Sequence, residues 1–438
     1  MATRRPTSKH ELEIPELLKS VRYACERIPD AIKRKVTIPL TDCIMGGLAV
    51  FSLKYSSLLQ FDQDAREDDM LKNNLNTLYG IKKAPSDTYM RERLDQIDPE
   101  NCQKIIDKII RRLEGNGIFE KYKYHKDYCL VSIDGTGYFS SHDVHCDSCC
   151  VKNHRDGTIT YYHQMLAAVM VHPGQKTVFP LSVEPIRKSD GMKKNDCEHN
   201  AAIRLLKNLK NSHPKLKMIV VLDGLYADAT IINLLKELKI HFIITAKEND
   251  LKYLFDAYQA CKASNMVEIH VKDKVSYSII NNLPLNYKNE HIKVNLLESV
   301  EKKKGKTKRF VWITDLNLNE ETSEKIAKGG RARWKIENET FNTLKNQGYQ
   351  FEHNFGHGEK NLSTVLAYLM FIAFLIDQVQ QFSCQFFNAA LTKCIRRSYL
   401  WNKIRGLFFL YFIDSWEQAY KAISLGVGAR LSEAFDSS

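Results

Sequence analysis

The chain has 438 residues, of which 44% are hydrophobic and 26% charged, enough apolar material for two or three domains and too much for a disordered chain. Lys and Arg outnumber Asp and Glu by 64 to 52, a net charge of +12, which favours a polyanionic partner, nucleic acid above all. Eleven cysteines occur without a secretory pattern at the polar N-terminus, so reduced thiols in a cytoplasmic compartment are expected rather than a disulfide framework.

Residues 1–125 read as helical, with apolar positions at helical spacing in Leu17–Ile28, Ile38–Leu53 and Ile105–Leu113. Here Arg91, Arg93, Lys104, Lys108, Arg111 and Arg112 could meet DNA phosphates, although a solvated helical face explains such cations equally well. Between 126 and 249 the pattern turns to strands, at 128–139, 161–173, 177–183, 217–226 and 240–245, with helices at 195–209 and 227–238. That order predicts a mixed sheet with helices packed on it. Alternating segments at 275–280 and 310–314, parted by a basic turn, make 250–318 a β-rich insertion. Residues 319–358 carry a helix over 329–348 and a glycine-punctuated loop. Residues 359–438 form a C-terminal helical region whose last dozen residues are expected to fray. Its apolar run Leu362–Ile376 is short for a bilayer span and holds Ser363 and Thr364; a buried core helix is expected, and no membrane partner.

In the 329–348 helix, Gly329 and Gly330 punctuate the start or a break before it, and Gly348 offers a C-cap. Arg333, Glu337, Phe341 and Lys345 fall four apart and track one side. Ion pairs on a wet face would give the same spacing. Asp134 lies at the centre of the first strand run and Asp223 at the end of a later one. Such acids singly are ordinary strand terminators. Together with Glu337 they would suit two Mg2+ roughly 3.5–4 Å apart, the arrangement that phosphodiester chemistry uses.

Three motifs carry a resemblance: Ser-Ile-Asp-Gly-Thr-Gly (132–137), Val-Val-Leu-Asp-Gly-Leu-Tyr-Ala (220–227) and Arg-Trp-Lys-Ile-Glu-Asn-Glu-Thr-Phe-Asn-Thr-Leu-Lys (333–345). Over roughly 125–380 the chain resembles DDE-type insertion-sequence transposases of the subgroup with a β-rich insertion between the second Asp and the Glu. The resemblance implies an α/β fold, an RNase H-like mixed sheet flanked by helices, with helical regions at both ends. It implies cleavage at transposon ends and strand transfer into target DNA, with Asp134, Asp223 and Glu337 as the metal-binding triad. Two Mg2+ are implied, with Mn2+ able to substitute, and Arg333 and Lys345 as DNA-phosphate contacts. The implied partner is double-stranded DNA, bound by a homodimer in a bacterial-type cytoplasm, at the nucleoid. An RNase H-like metal-dependent nuclease and a catalytically silent DNA-binding derivative are the alternatives. The chain departs from the family signature in having Gly330 where a tyrosine is usual, and Leu344 where the lysine commonly stands, with Lys345 one later. Glu339 competes with Glu337 but lies about 200° round an α-helix from it.

His-Cys-Asp-Ser-Cys-Cys (145–150), with His154 and His163 after it, reads as half of a zinc site. Cys146, Cys149, Cys150 and Cys197 are the candidate zinc ligands, against ordinary reduced thiols. Asp190, Asp196 and Glu198 are candidate further acids, which loop polarity and an N-cap explain more simply. Asp228 reads as first-turn charge, His353 and His357 as part of a connecting loop, and Trp312 and Trp334 as core.

Overall fold

The structure is a computed structural model that describes residues 9–32, 36–191, 194–303 and 305–426, with the side chains of Lys9, His10 and 194–196 also left aside. The last dozen residues, expected to fray, and the Asp196 side chain lie outside the description. The chain divides into two units. One comprises Met1–Asn116, Tyr138–Asp147 and Asn342–Ser438; the other comprises Gly117–Gly137 and Ser148–Phe341.

The first unit is helical. It begins with α1 (Ile14–Cys25), α2 (Leu40–Ser52), α3 (Leu58–Glu67), α4 (Asp69–Tyr79), α5 (Asp87–Asp95) and α6 (Pro99–Gly115). Sequence sets these ends. Ser57, Asp68, Ser86 and Asp98 each accept a backbone N–H as N-cap of the helix that follows.

The second unit supplies β1 (Lys123–His125), the start of β2 (Tyr128–Ser141), β3 (Cys150–Asn153), β4 (Ile159–Val171), β5 (Phe179–Ile186) and α7 (Lys194–Ser212). It continues with β6 (Met218–Leu222), α8 (Ala229–Glu237), β7 (His241–Thr245) and α9 (Lys252–Ala263). Next come β8 (Glu268–Lys272), β9 (Val275–Pro284), β10 (Lys293–Lys303), β11 (Lys306–Thr314) and α10 (Glu320–Arg331). A π-helical turn over Ile336–Phe341 closes the unit. The chain then returns to the first unit with α11 (Asn342–Asn346), α12 (Leu362–Ser383), α13 (Gln385–Cys394), α14 (Arg397–Leu410) and α15 (Trp416–Leu425). The helical regions at the two ends of the sequence thus share one unit. There α12 is buried along almost its whole length, as expected of a core helix.

The strands of the second unit form one mixed sheet in the order β3-β4-β2-β6-β7-β11-β10-β9-β8, with β5 on β4 and β1 on β2. β2, β6 and β7 run parallel, while β4–β5 and β7–β11 are antiparallel. This is the mixed α/β architecture read from the strand order. The 250–318 insertion is β-rich but not a separate sheet: β11 pairs with β7, Trp312 opposite Thr245, and so extends the central sheet. It also contains α9, which the alternating pattern does not reveal.

The glycine pair at 329–330 does not break the chain. α10 runs straight through it, opened by Asn319 and Thr322, whose side chains accept each other's backbone N–H at 2.9 and 3.0 Å. The pair permits close packing on the sheet. A Cβ on Gly330 would stand 2.4 Å from Trp312 Nε1, and one on Gly329 would stand 3.2 Å from Ile243. The tyrosine usual at position 330 in the resembling family would not fit against Trp312.

Candidate active site

The parallel pairing of β2 with β6 aligns Cys129 with Met218 and Ser132 with Val221. Carried two residues further, that register sets Asp134 level with Asp223. Side chains alternate across a strand, so both carboxylates leave the same face, on strands about 4.8 Å apart. Asp223 continues the extended backbone just past β6, with φ −81 and ψ 177. Its Oδ1 accepts the Leu225 N–H at 2.9 Å, and Asp134 Oδ1 accepts the Gly135 N–H at 2.9 Å.

α10 covers that face. Gly329 lies over Leu130 and Ile243, and beyond the helix Ser132 Oγ donates to the Arg333 carbonyl at 3.1 Å. Arg333 Nη1 in turn donates to Asp134 Oδ2 at 2.8 Å, with both side chains mostly buried. Burial pushes the Asp134 carboxyl above its ordinary pKa and the Asp223 charge adds to that, against the lowering by Arg333 and the Gly135 N–H.

Glu337 follows Arg333 by four residues, and the chain between them winds into the π-helical turn. That turn buries Ile336, Thr340 and Phe341, leaving Glu337 exposed and Glu339 half-buried. The 329–348 stretch is therefore not one continuous α-helix. π-turns of this kind recur at functional sites. The structure brings Asp134 and Asp223 together directly, and Arg333 ties the segment bearing Glu337 to Asp134.

The other expected contacts fare differently. Arg93, expected at DNA, is corrected here: it is 4% exposed and donates to Asp30 at 2.6 Å and to the Tyr89 hydroxyl at 2.9 Å, so its charge is neutralised inside the protein. Arg91 is bound to Asp87 at 2.7 and 3.2 Å but keeps part of its surface. Lys345 belongs to the first unit, where it pairs with Glu352 at 2.7 Å. Trp312 is core at 2% exposure, as expected, whereas Trp334 is 52% exposed and stands under the Arg333 guanidinium, 5.3 Å from ring centroid to Cζ.

Among the candidate zinc ligands, Cys149 Sγ stands 3.3 Å from His163 Nε2 in the second unit. In the first unit, the Cys146 thiol and a His357 ring nitrogen lie within 4.8 Å of each other. Cys150 and Cys197 turn elsewhere: their thiols donate to the carbonyls of Ile186 at 3.9 Å and Gly191 at 3.3 Å. His154 pairs with Thr160 Oγ1 at 2.8 Å.

A transposase DDE domain family model matches residues 142–376, more than half of the sequence, and takes in Asp223, Arg333 and Glu337. The chain belongs to the transposase DDE domain family. It is a DNA transposase, an enzyme of DNA cleavage and strand transfer, and its family implies dependence on a divalent metal. No curated protein matches it. Among solved structures, the cryo-EM structure of a piggyBac transposase synaptic complex with hairpin DNA aligns over 98% of this chain and 83% of that chain, at 11% identity and a TM-score of 0.40.

The donor set of this transposase fits a hard divalent cation. Asp134 and Asp223 offer carboxylate oxygens side by side, each with one oxygen held by a backbone N–H. The Asp134 oxygen that meets Arg333 shows that the position already favours a positive charge.

Proposed function

We propose that this transposase cuts DNA at transposon ends and joins the freed 3′-hydroxyl to target DNA, using Asp134, Asp223 and Glu337 to hold two Mg2+. The observation that carries the reading is the level placement of Asp134 and Asp223 on neighbouring parallel strands, with Arg333 bridging from the Glu337 segment. When bound, the divalent ions supply charge neutralisation at the scissile phosphate and an activated water. The chain's own part is to fix geometry. Backbone amides of Gly135 and Leu225 orient the two aspartates. Ser132 anchors the Arg333 backbone, so the guanidinium remains beside the carboxylates as DNA enters.

Arg91 and the exposed Trp334 are the proposed DNA contacts, with one copy of the chain on each transposon end, at the nucleoid. The Cys149–His163 pair supplies a thiolate and an imidazole, half of a tetrahedral zinc set, and we propose that it binds zinc.

The test is purified protein with paired transposon-end DNA, target plasmid and Mg2+. Cleavage followed by joining, lost in Asp134→Asn and Asp223→Asn, supports the reading. Cleavage that never proceeds to joining favours an RNase H-like nuclease instead.

A further inference from the structure

We propose that Glu198 is a fourth carboxylate of the metal centre, reaching it past Gly135 from the opposite face of the sheet. The inference rests on the metal-dependent transposase reading above and adds a residue to it.

Glu198 lies in the first turns of α7, and side chains just beyond it tie the helix to its neighbours. His199 Nε2 meets Asp228 Oδ2 at 2.7 Å, and Asp228 in turn caps α8 by accepting the N–H groups of Thr230 and Ile231. Arg204, five residues along α7 from His199, donates to Glu184 at 2.7 Å and to Asp190 at 2.5 and 3.0 Å. Glu198 is thus carried on a helix held to its neighbours at His199 and at Arg204.

Its carboxylate comes up against β2 beside the first aspartate. A Cβ built at Gly135 would lie 3.8 Å from Glu198 Oε1 and 3.4 Å from Leu166. Gly135 is the residue next to Asp134, and by alternation it faces the other side of the sheet. A large side chain there would occupy the path between Glu198 and the strand; glycine leaves it open. Tyr226, 2% exposed, follows Asp223 by three residues. Burial first, and then the negative charges of Glu198, Asp223 and Asp134, hold its phenol well above its ordinary pKa.

The two strand carboxylates leave one face of the sheet, the face on which Arg333 meets Asp134. Glu198 would complete the set from the other side, so that cations at the sheet edge are gripped from both faces. A hard divalent ion accepts an additional carboxylate oxygen in place of water without any change of chemistry. Glu198 would then act as a metal ligand, directly or through a bound water.

The experiment is Mn2+ binding to the full-length protein, followed by the electron paramagnetic resonance signal of free Mn2+, for the parent, Glu198→Gln, Glu198→Asp and Asp134→Asn. Circular dichroism confirms that each variant is folded. Asp134→Asn should lose the tightest Mn2+, and Glu198→Gln should weaken it by about tenfold or more. Glu198→Asp keeps the charge but shortens the reach, so it too should bind more weakly than the parent. It stands in if the Gln variant fails to fold. Loss in Asp134→Asn with parental affinity in both Glu198 variants overturns the proposal while leaving the transposase metal site intact. Unchanged binding in Asp134→Asn overturns that metal site, and the proposal with it.

Discussion

The Arg333 guanidinium donates to Asp134 at 2.8 Å from a segment 199 residues further along the chain. It places a fixed positive charge beside two carboxylates that would otherwise repel each other. Arg333→Ala should therefore lower thermal stability in EDTA, by about 1–3 kcal/mol for a mostly buried charged hydrogen bond, and should reduce strand transfer. Arg333→Lys should restore some of the stability but less of the activity, because an ammonium lacks the planar fork. Melting curves and joining assays on the same preparations check both.

Gly330 and Trp312 make a second testable contact. With Trp312 Nε1 only 2.4 Å from where a Cβ would stand, Gly330→Ala must push α10 off the sheet or displace the indole. A loss of about 1–3 kcal/mol is expected from overpacking. Gly406 is the control: it lies within α14 with nothing inside 4 Å of its Cβ position. Gly406→Ala should instead stabilise by about 0.5–1 kcal/mol. Denaturant midpoints of the two variants should shift in opposite directions.

These cases show what the sequence makes legible. Asp134 and Asp223 are visible because β-rich runs centre on or end at them, and Arg333 and Glu337 because their spacing is one helical turn. The role of Gly330 is not visible. Locally a glycine pair signals a break, and only the distant Trp312 explains why the helix continues through it. The insertion shows the same limit: β11 alternates recognisably, but its pairing with β7 joins residues about 70 apart in sequence. Trp334 reads as core because aromatics are usually buried, whereas in the structure it precedes the π-turn and is 52% exposed. Glu198 looks like an ordinary helix-start acid until α7 is seen against Gly135.

Trp334 offers a prediction of its own. An exposed indole under the Arg333 guanidinium presents a flat face next to the candidate acids. Trp334→Ala should leave the fold unchanged and weaken DNA binding by about 1–3 kcal/mol if a base stacks there. Fluorescence anisotropy with labelled DNA measures the affinity. Equal affinity of variant and parent would assign the indole no part in DNA binding.

Glu324 gives the pH dependence. On α10 it bonds Lys272 of β8 at 2.7 Å and Lys328 at 2.6 Å, which together hold its carboxyl down from 4.5 to about 2. A depressed carboxylate contributes stability that is present above its unfolded value and lost as pH falls toward the folded one. The contribution should thus be whole above about pH 5 and fade progressively toward pH 2, amounting to less than about 1 kcal/mol for a solvent-screened cluster. The melting-temperature gap between parent and Glu324→Gln should shrink as pH is lowered from 6 to 3, and should also shrink in high salt.

Zinc content tests the cysteine–histidine pair. Metal analysis of protein purified without chelator should find zinc in the parent and a loss in Cys149→Ser and His163→Ala, accompanied by lower stability. Cys150→Ser and Cys197→Ser should retain it, because those thiols donate to carbonyls instead.

The most direct measurement of the central claim is anomalous scattering from Mn2+ in crystals of the protein bound to transposon-end DNA. The account predicts manganese peaks at the sheet edge touched by Asp134, Asp223 and Glu337, with the scissile phosphate against them. Manganese bound elsewhere, or bound there by Asp134 and Asp223 while Glu337 remains turned to solvent in the DNA complex, would contradict it.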